Sequence, residues 1–388
     1  MTTWTLEPRD TLVARDGKPM SGASQMTSLS LPWPSSTAGF VRTRVGSDEH
    51  GRWSGQLSSD DAKKIPVAGP WIVELDAAGK VTDALLPRPL DFAGWDATDK
   101  ENVRVVPLRP QPRGAGVVTD LDDEGLELLG LAEPHSEKPT SLPALVSWNR
   151  FMSDWLAKPA ARDLGRNSMG IAGLEREWRT HVAIDPETQT AREGDLFSIE
   201  HLRFVVAKAA RTADGALPHR SYHRLAVAVQ CADPRLEKKR GTWPWAGERR
   251  LSSFAPVAAS GVPERCPMPI EDAIARSGRV RVVLVTPAIF DAGWRPGRVL
   301  APEEGVTPTL IGAAVPRADV VSGWDLATNK PKPTRRVVPA GSVYWLQLDG
   351  DEAARRRWVQ RWWWTAISDR DEERLQGFGL CVLGAGGE

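Results

Sequence analysis

The sequence predicts an α+β protein built mainly from antiparallel sheet. Runs that alternate apolar and polar residues far outnumber helical patterns. The helical stretches lie between groups of such runs, which is the α+β arrangement. With 388 residues, 41% of them hydrophobic, the chain can bury two or three domain cores.

From the N-terminus, TWTLEPRDTLVA (3–14) reads as a strand and SSTAGFVRTRVG (35–46) as a helix with Ser35 or Ser36 as its N-cap. PWIVEL (70–75) is the next strand. HVAIDPETQTAREGDLFS (181–198) predicts a protruding hairpin about its DPETQ turn, continuing into LFSIEHLRFVVA (196–207). Further strands are expected at YHRLAVAVQC (222–231), RVRVVLVTPAIF (279–290), RRVVPAGSVYWLQL (335–348) and GLCVLG (379–384). The clearest helix is DEAARRRWVQRWWWTAIS (351–368), where Trp358, Trp362 and Ala366 recur at four-residue intervals beside Val359, Trp363 and Ile367. Asp351 and Glu352 suit its positive N-terminal end, and Asp349 with Asp351 reads as a turn and cap rather than a metal pair. Irregular stretches fall at 48–69, 85–143 and 232–248, and LDDEGLELLGLAEP inside the longest predicts a short helix and turn. No repeat of fixed period is present. A division near residue 210 is expected, giving units 1–210 and 211–388, each with several strands and one good helix.

Fifty basic and fifty acidic residues cancel, so bulk charge announces no nucleic-acid partner and any such site has to be local. Cys231, Cys266 and Cys381 form no paired motif, which supports neither a zinc site nor a disulfide framework. No export signal opens the chain, and no apolar run approaches the roughly 18 residues of a membrane span. A reduced, cytoplasmic setting with no membrane partner is therefore expected.

Four stretches carry possible binding chemistry. In LPWPSSTAGFVRTR (31–44), hydroxyls at a helix start precede Arg42 and Arg44, a natural phosphate cradle; an ordinary capped helix is the alternative. ERLQGFGLCVLG (373–384) brackets Phe378 with Gly377 and Gly379, allowing close backbone approach to a ligand, although a tight turn has the same pattern. TWPWAGERRLSSF (242–254) sets Arg249 and Arg250 beside Trp243 and Trp245, a mixture suited to single-stranded nucleic acid or to a solvated charged edge. NKPKPTRRVVPAGSVYW (329–345) holds Lys330, Lys332, Arg335 and Arg336 with no carboxylate between Asp325 and Asp349. Tryptophan outnumbers tyrosine seventeen to two, and the 358–364 cluster covers more than one helix side, leaving a ring for a partner. Nucleophile-elbow, zinc-protease and kinase motifs are all missing, and His219 with His223 lacks a third ligand.

In this order, WTLEPRDTLVARDGKPM, LPWPSSTAGFVRT, IDPETQTAREGDLF, AGERRL, GWDLATNKPKPTRRVVPAGSVYW and QGFGLCVLG resemble the RAMP proteins, specifically the third subunit of the type III-B CRISPR Cmr effector complex. The resemblance spans nearly the whole chain except 48–69 and 85–143. It implies two tandem ferredoxin-like (RRM-like) domains, no cofactor, and a non-catalytic role holding the 5′ handle of the CRISPR RNA. The implied partners are the large polymerase-like subunit, a backbone RAMP subunit and, through the complex, target RNA. The implied RNA contacts are Ser36, Thr37 and Arg42; Arg249 and Arg250; Lys330, Lys332, Thr334, Arg335 and Arg336; and Gly377, Phe378 and Gly379. Ala246 stands where the family pattern has a glycine. Related RAMP proteins include metal-independent endoribonucleases that use a histidine, for which His201, His219 and His223 are the candidates here.

Overall fold

Alternating Trp4 and Leu6 turn the strand Thr2–Pro8 into the middle of a sheet, paired antiparallel with Tyr222–Cys231 on one edge and Arg250–Val257 on the other. Ala68–Leu75 extends the first edge and Gly241–Trp245 the second. The computed structural model describes residues 1–15, 25–97, 101–112, 125–207, 222–325 and 328–387. The chain forms two units, each discontinuous in sequence: Met1–Thr82, Gly173–Ala259 and Val321–Arg335 make the first, and Asp83–Ala172, Ser260–Val320 and Arg336–Glu388 the second. These boundaries differ from a single division near 210, because Tyr222–Cys231 and Arg250–Val257 flank the N-terminal strand in one sheet.

In the first unit, α1 (Pro34–Gly46) buries Ala38, Val41 and Val45. Phe40 meets Phe254 edge-on at 5.3 Å, and Phe254 stacks on Trp4 at 4.7 Å, so an aromatic core lies between helix and sheet. The 48–69 stretch contains the short α2 (Ser59–Lys63), whose N-cap Ser58 accepts from the Asp61 N–H at 3.0 Å. The expected hairpin is present and longer than its sequence signal: Glu175–Ile184 pairs with Ala191–Arg203. Asp185 closes its turn, accepting from the N–H groups of Glu187 and Thr188 at 2.8 and 3.1 Å. Along the four central strands, spatial order by chain position is fourth, first, third, second.

The second unit begins its core at α3 (Ser153–Ala157). Trp155 Nε1 donates to Asp91 Oδ1 at 2.9 Å, and Arg281 pairs with the other oxygen of Asp91. Arg281 also donates to the carbonyls of Ala385 and Trp155 at 2.6 and 2.8 Å, so this buried cation has its donors satisfied. Its strand, Arg279–Leu284, lies between Cys381–Ala385 and Val343–Asp349, with Thr307–Ala314 outside the latter, again the order fourth, first, third, second. Behind this sheet α4 (Met268–Ser277) packs on α5 (Glu352–Trp362), burying Ile270 and Ile274 with Trp358, Val359 and Trp362.

Three expectations need correction. The helix expected over 351–368 ends at Trp362, because Trp363 turns extended to bury its ring, donate from Nε1 to the Pro263 carbonyl at 2.9 Å and meet Trp148 edge-on. Trp358, Trp362 and Trp363 are thus core residues, and Trp364 is half-buried at φ 54°. The apolar patch near 128 is a strand, Leu128–Leu131, paired to the open edge of Asn102–Gln111; residues 121–124 of that patch lie outside the described residues. The N-cap of α1 is Trp33, with Pro34 at the first helical position and no side-chain cap.

Candidate nucleic-acid interface

Because Pro34 pre-sets the first turn, the α1 start needs no hydroxyl cap, and its side chains divide by face. Ser36 is exposed, while Thr37 is fully buried and donates from Oγ1 to the Trp33 carbonyl at 3.3 Å. Arg42 is 9% exposed, its Nε and Nη2 donating to the Ile65 carbonyl at 3.1 and 3.0 Å. Arg44 lies over the Trp243 ring at 4.3 Å, and burial lowers its pKa. Both arginines therefore hold the first unit together, and Ser36 is what this helix start offers at the surface.

Arg44 over Trp243 and Phe40 near Trp245 make α1 antiparallel to Gly241–Trp245. The first turn of α1 accordingly lies at the sheet end from which the 246–249 turn springs. Ala246, Glu248 and Arg249 all adopt positive φ, 59°, 56° and 48°, an accumulation of left-handed residues that costs energy without glycine. Gly247 cannot carry a side chain, since a Cβ there would sit 2.8 Å from Val13 Cγ1 and 2.9 Å from the Val13 carbonyl oxygen. Ala246, where the sequence resemblance implies a glycine, is thus itself left-handed. Glu248 is tied to Arg15 at 2.6 Å, while Arg249 is exposed and has no partner among the described residues.

Arg250 lies 3.8 Å from Asp10, whose carboxylate accepts two hydrogen bonds from Arg179 at 2.5 and 2.9 Å. Those bonds hold the Asp10 carboxyl below the usual carboxylate range. His201 sits beneath them, fully buried, with Nδ1 2.7 Å from Thr11 Oγ1. Burial, with Arg250 and Arg179 nearby, pushes its pKa down to about 4. Sequence spacing could not have found Asp10, Arg179 and His201 as one cluster, because strand pairing alone joins them.

In the 330–336 segment the four cations divide. Lys332 and Arg335 each have an interaction within the chain, although no carboxylate lies between Asp325 and Asp349. Lys330 and Arg336 are exposed without an ion-pair partner among the described residues, and Thr334 is exposed beside them. Lys330–Pro331 pairs with Trp324–Asp325, and Asp325 reaches back to Lys63 at 3.5 Å.

Gly377 and Gly379 have φ of 90° and 83°, as their position around Phe378 suggests. The N–H groups of Gly377, Phe378, Gly379 and Leu380 all have intrachain acceptors: Arg374, Glu373 and Pro287 carbonyls and the Thr286 hydroxyl. Phe378 itself is buried. This turn is closed on itself, and Gly377 and Gly379 are buried with Phe378. Among the described residues no group of three or more His, Cys, Asp or Glu could hold a metal ion. His223 faces Glu74 at 2.7 Å, and His219 lies outside the described residues.

The family described as CRISPR-associated protein (Cas_Cmr3) matches residues 4–385. Two solved structures contain similar chains: a type III-B Cmr-beta bound to cognate target RNA and AMPPnP, state 1, and a type III-B Cmr-beta bound to cognate target RNA. Each is 13% identical with a TM-score of 0.45, covering 88% of this chain and 85% or 86% of the other. No curated protein matches.

Proposed function

Because this chain belongs to the Cas_Cmr3 family of CRISPR-associated proteins, we propose that it is a non-catalytic, RNA-holding subunit of a type III-B Cmr effector complex. It cradles the 5′ handle of the CRISPR RNA, docks on the large polymerase-like subunit and on a backbone RAMP subunit, and meets target RNA through the complex. Both units read as ferredoxin-like; the repeated strand order fourth, first, third, second, antiparallel throughout, supports this.

The observation that carries the RNA reading is the set Arg249, Lys330 and Arg336: exposed cations with no carboxylate partner among the described residues, each in a segment that the sequence resemblance implies contacts RNA. Phosphates supply the missing counter-charge, and released counterions supply affinity without sequence reading. In the first unit Arg250, Lys332 and Arg335 support the path from partly engaged positions and Ser36 and Thr334 add exposed hydroxyls; in the second unit the buried Gly377–Gly379 turn supports it from beneath the surface. Ultraviolet crosslinking of the assembled complex tests this: crosslinks from handle nucleotides to these segments are expected, and a complex without any reduces the protein to a scaffold.

An endoribonuclease is the competing reading, with His201 beside Arg250. A fully buried imidazole with a pKa of about 4 is neutral at pH 7 and out of reach of a scissile phosphate. Intact repeat RNA after incubation with the protein in EDTA is the expected result; cleavage that disappears in His201→Ala overturns the binding-only role.

A further inference from the structure

The second unit contains a cavity of about 780 Å³, within the roughly 300–1,000 Å³ range of small-ligand sites. Most of its wall is apolar, including Leu126, Leu129, Ala313 and Val338. Two opposite charges, Glu127 and Arg336, line it as well, and neither pairs with the other or with any described residue. Trp294 completes the wall as a half-buried ring.

These groups are fixed by their backbones. Glu127 donates its N–H to the Ile311 carbonyl at 2.8 Å, and the Trp294 carbonyl accepts from the Tyr344 hydroxyl at 2.7 Å. Arg336 precedes Val337 and Val338, both buried, and Val338 exchanges two backbone hydrogen bonds with Ala288. A guanidinium and a carboxylate held on one apolar cavity without neutralising each other call for a ligand with an acceptor for the first, a donor for the second and a flat apolar body between them.

We infer that this cavity captures an unstacked nucleobase bearing an exocyclic amine. The amine donates to the Glu127 carboxylate, a ring nitrogen or carbonyl accepts from one nitrogen of Arg336 while another faces a phosphate of the same strand, and Trp294 receives the face of the base. Arg336 also argues for nucleic acid over an apolar peptide, since it continues the cationic segment that starts at Lys330. The inference rests on the RNA-holding role and adds to it a preference: adenine, guanine or cytosine over uracil at one nucleotide. It concerns residues 126–129, a stretch where the family resemblance in sequence had nothing distinctive.

The test uses the full chain and single-stranded RNA carrying 2-aminopurine at one position at a time. One position should show fluorescence quenching by Trp294, lost in Trp294→Leu and in the cavity-filling Ala313→Phe. At that position uracil should weaken binding roughly 5- to 150-fold, the usual value of one good base contact, and Glu127→Gln should shrink this discrimination. Glu127→Gln alters no buried packing, so the test survives if Ala313→Phe fails to fold. Wild-type RNA binding with no position-dependent quenching overturns the base pocket and leaves the RNA-holding role standing. Loss of assembly with protein subunits in Ala313→Phe, with RNA binding intact, assigns the cavity to a protein side chain and overturns it too. No RNA binding by the wild type removes both readings.

Discussion

At residue 42 a guanidinium donates twice to the Ile65 carbonyl inside the first unit, whereas at residue 249 the same group stands in solvent. Sequence cannot separate these two uses, since both arginines follow short polar stretches near aromatics. Arg42→Ala should therefore lower stability by about 1–3 kcal/mol, because a buried carbonyl loses its donors, and leave RNA affinity of the folded fraction unchanged. Arg249→Ala should change stability by less than about 0.5 kcal/mol and weaken RNA binding. Urea titration beside filter binding checks the pair, and the reverse pattern would exchange their roles. His201 adds a pH signature. Its folded pKa of about 4 lies below the ordinary 6.5, so the unfolded chain takes up the proton first as pH falls. Stability from this group is complete above pH 6.5 and declines down to about pH 4. The gap in urea midpoint between wild type and His201→Gln should thus narrow across that window, with Asp10 titrating only below it.

At the scale of elements, periodicity served where one face decides the structure and failed where a neighbour does. The 181–198 hairpin, the Asp351 cap and the Trp358–Trp362 face of α5 were legible because each depends on spacing within a few residues. The last turn of that helix was not, because Trp363 leaves it for contacts with Pro263 and Trp148, 100 or more positions away. Likewise Leu128–Leu131 looks helical alone and becomes a strand only because Asn102–Gln111 presents an open edge. The glycine turn shows the same limit for function: its sequence signals close backbone approach, and the partner turns out to be the chain itself. Gly379→Ala would place a methyl 2.6 Å from the Ser368 nitrogen at a φ of 83°. It should destabilise by more than the roughly 1 kcal/mol of an unfavourable left-handed alanine, read as a fall in thermal midpoint. An unchanged midpoint would mean the turn is free to rearrange and available to bind through its backbone.

For the whole molecule, equal numbers of acidic and basic residues mean that RNA affinity has to arise from a few uncompensated cations rather than from a general field. That makes the salt dependence countable. Each phosphate contact on a single strand contributes about 0.7 to the slope of log K against log salt. Alanine at Arg249, Lys330 and Arg336 together should therefore flatten the slope by about 2, whereas alanine at the exposed Lys80, outside every candidate segment, should leave it unchanged. Lys332 and Arg335 should contribute less per residue, because each already engages the chain. A triple variant with the wild-type slope would mean that the free cations face protein subunits instead, and that the handle is held by the engaged residues or by the partners.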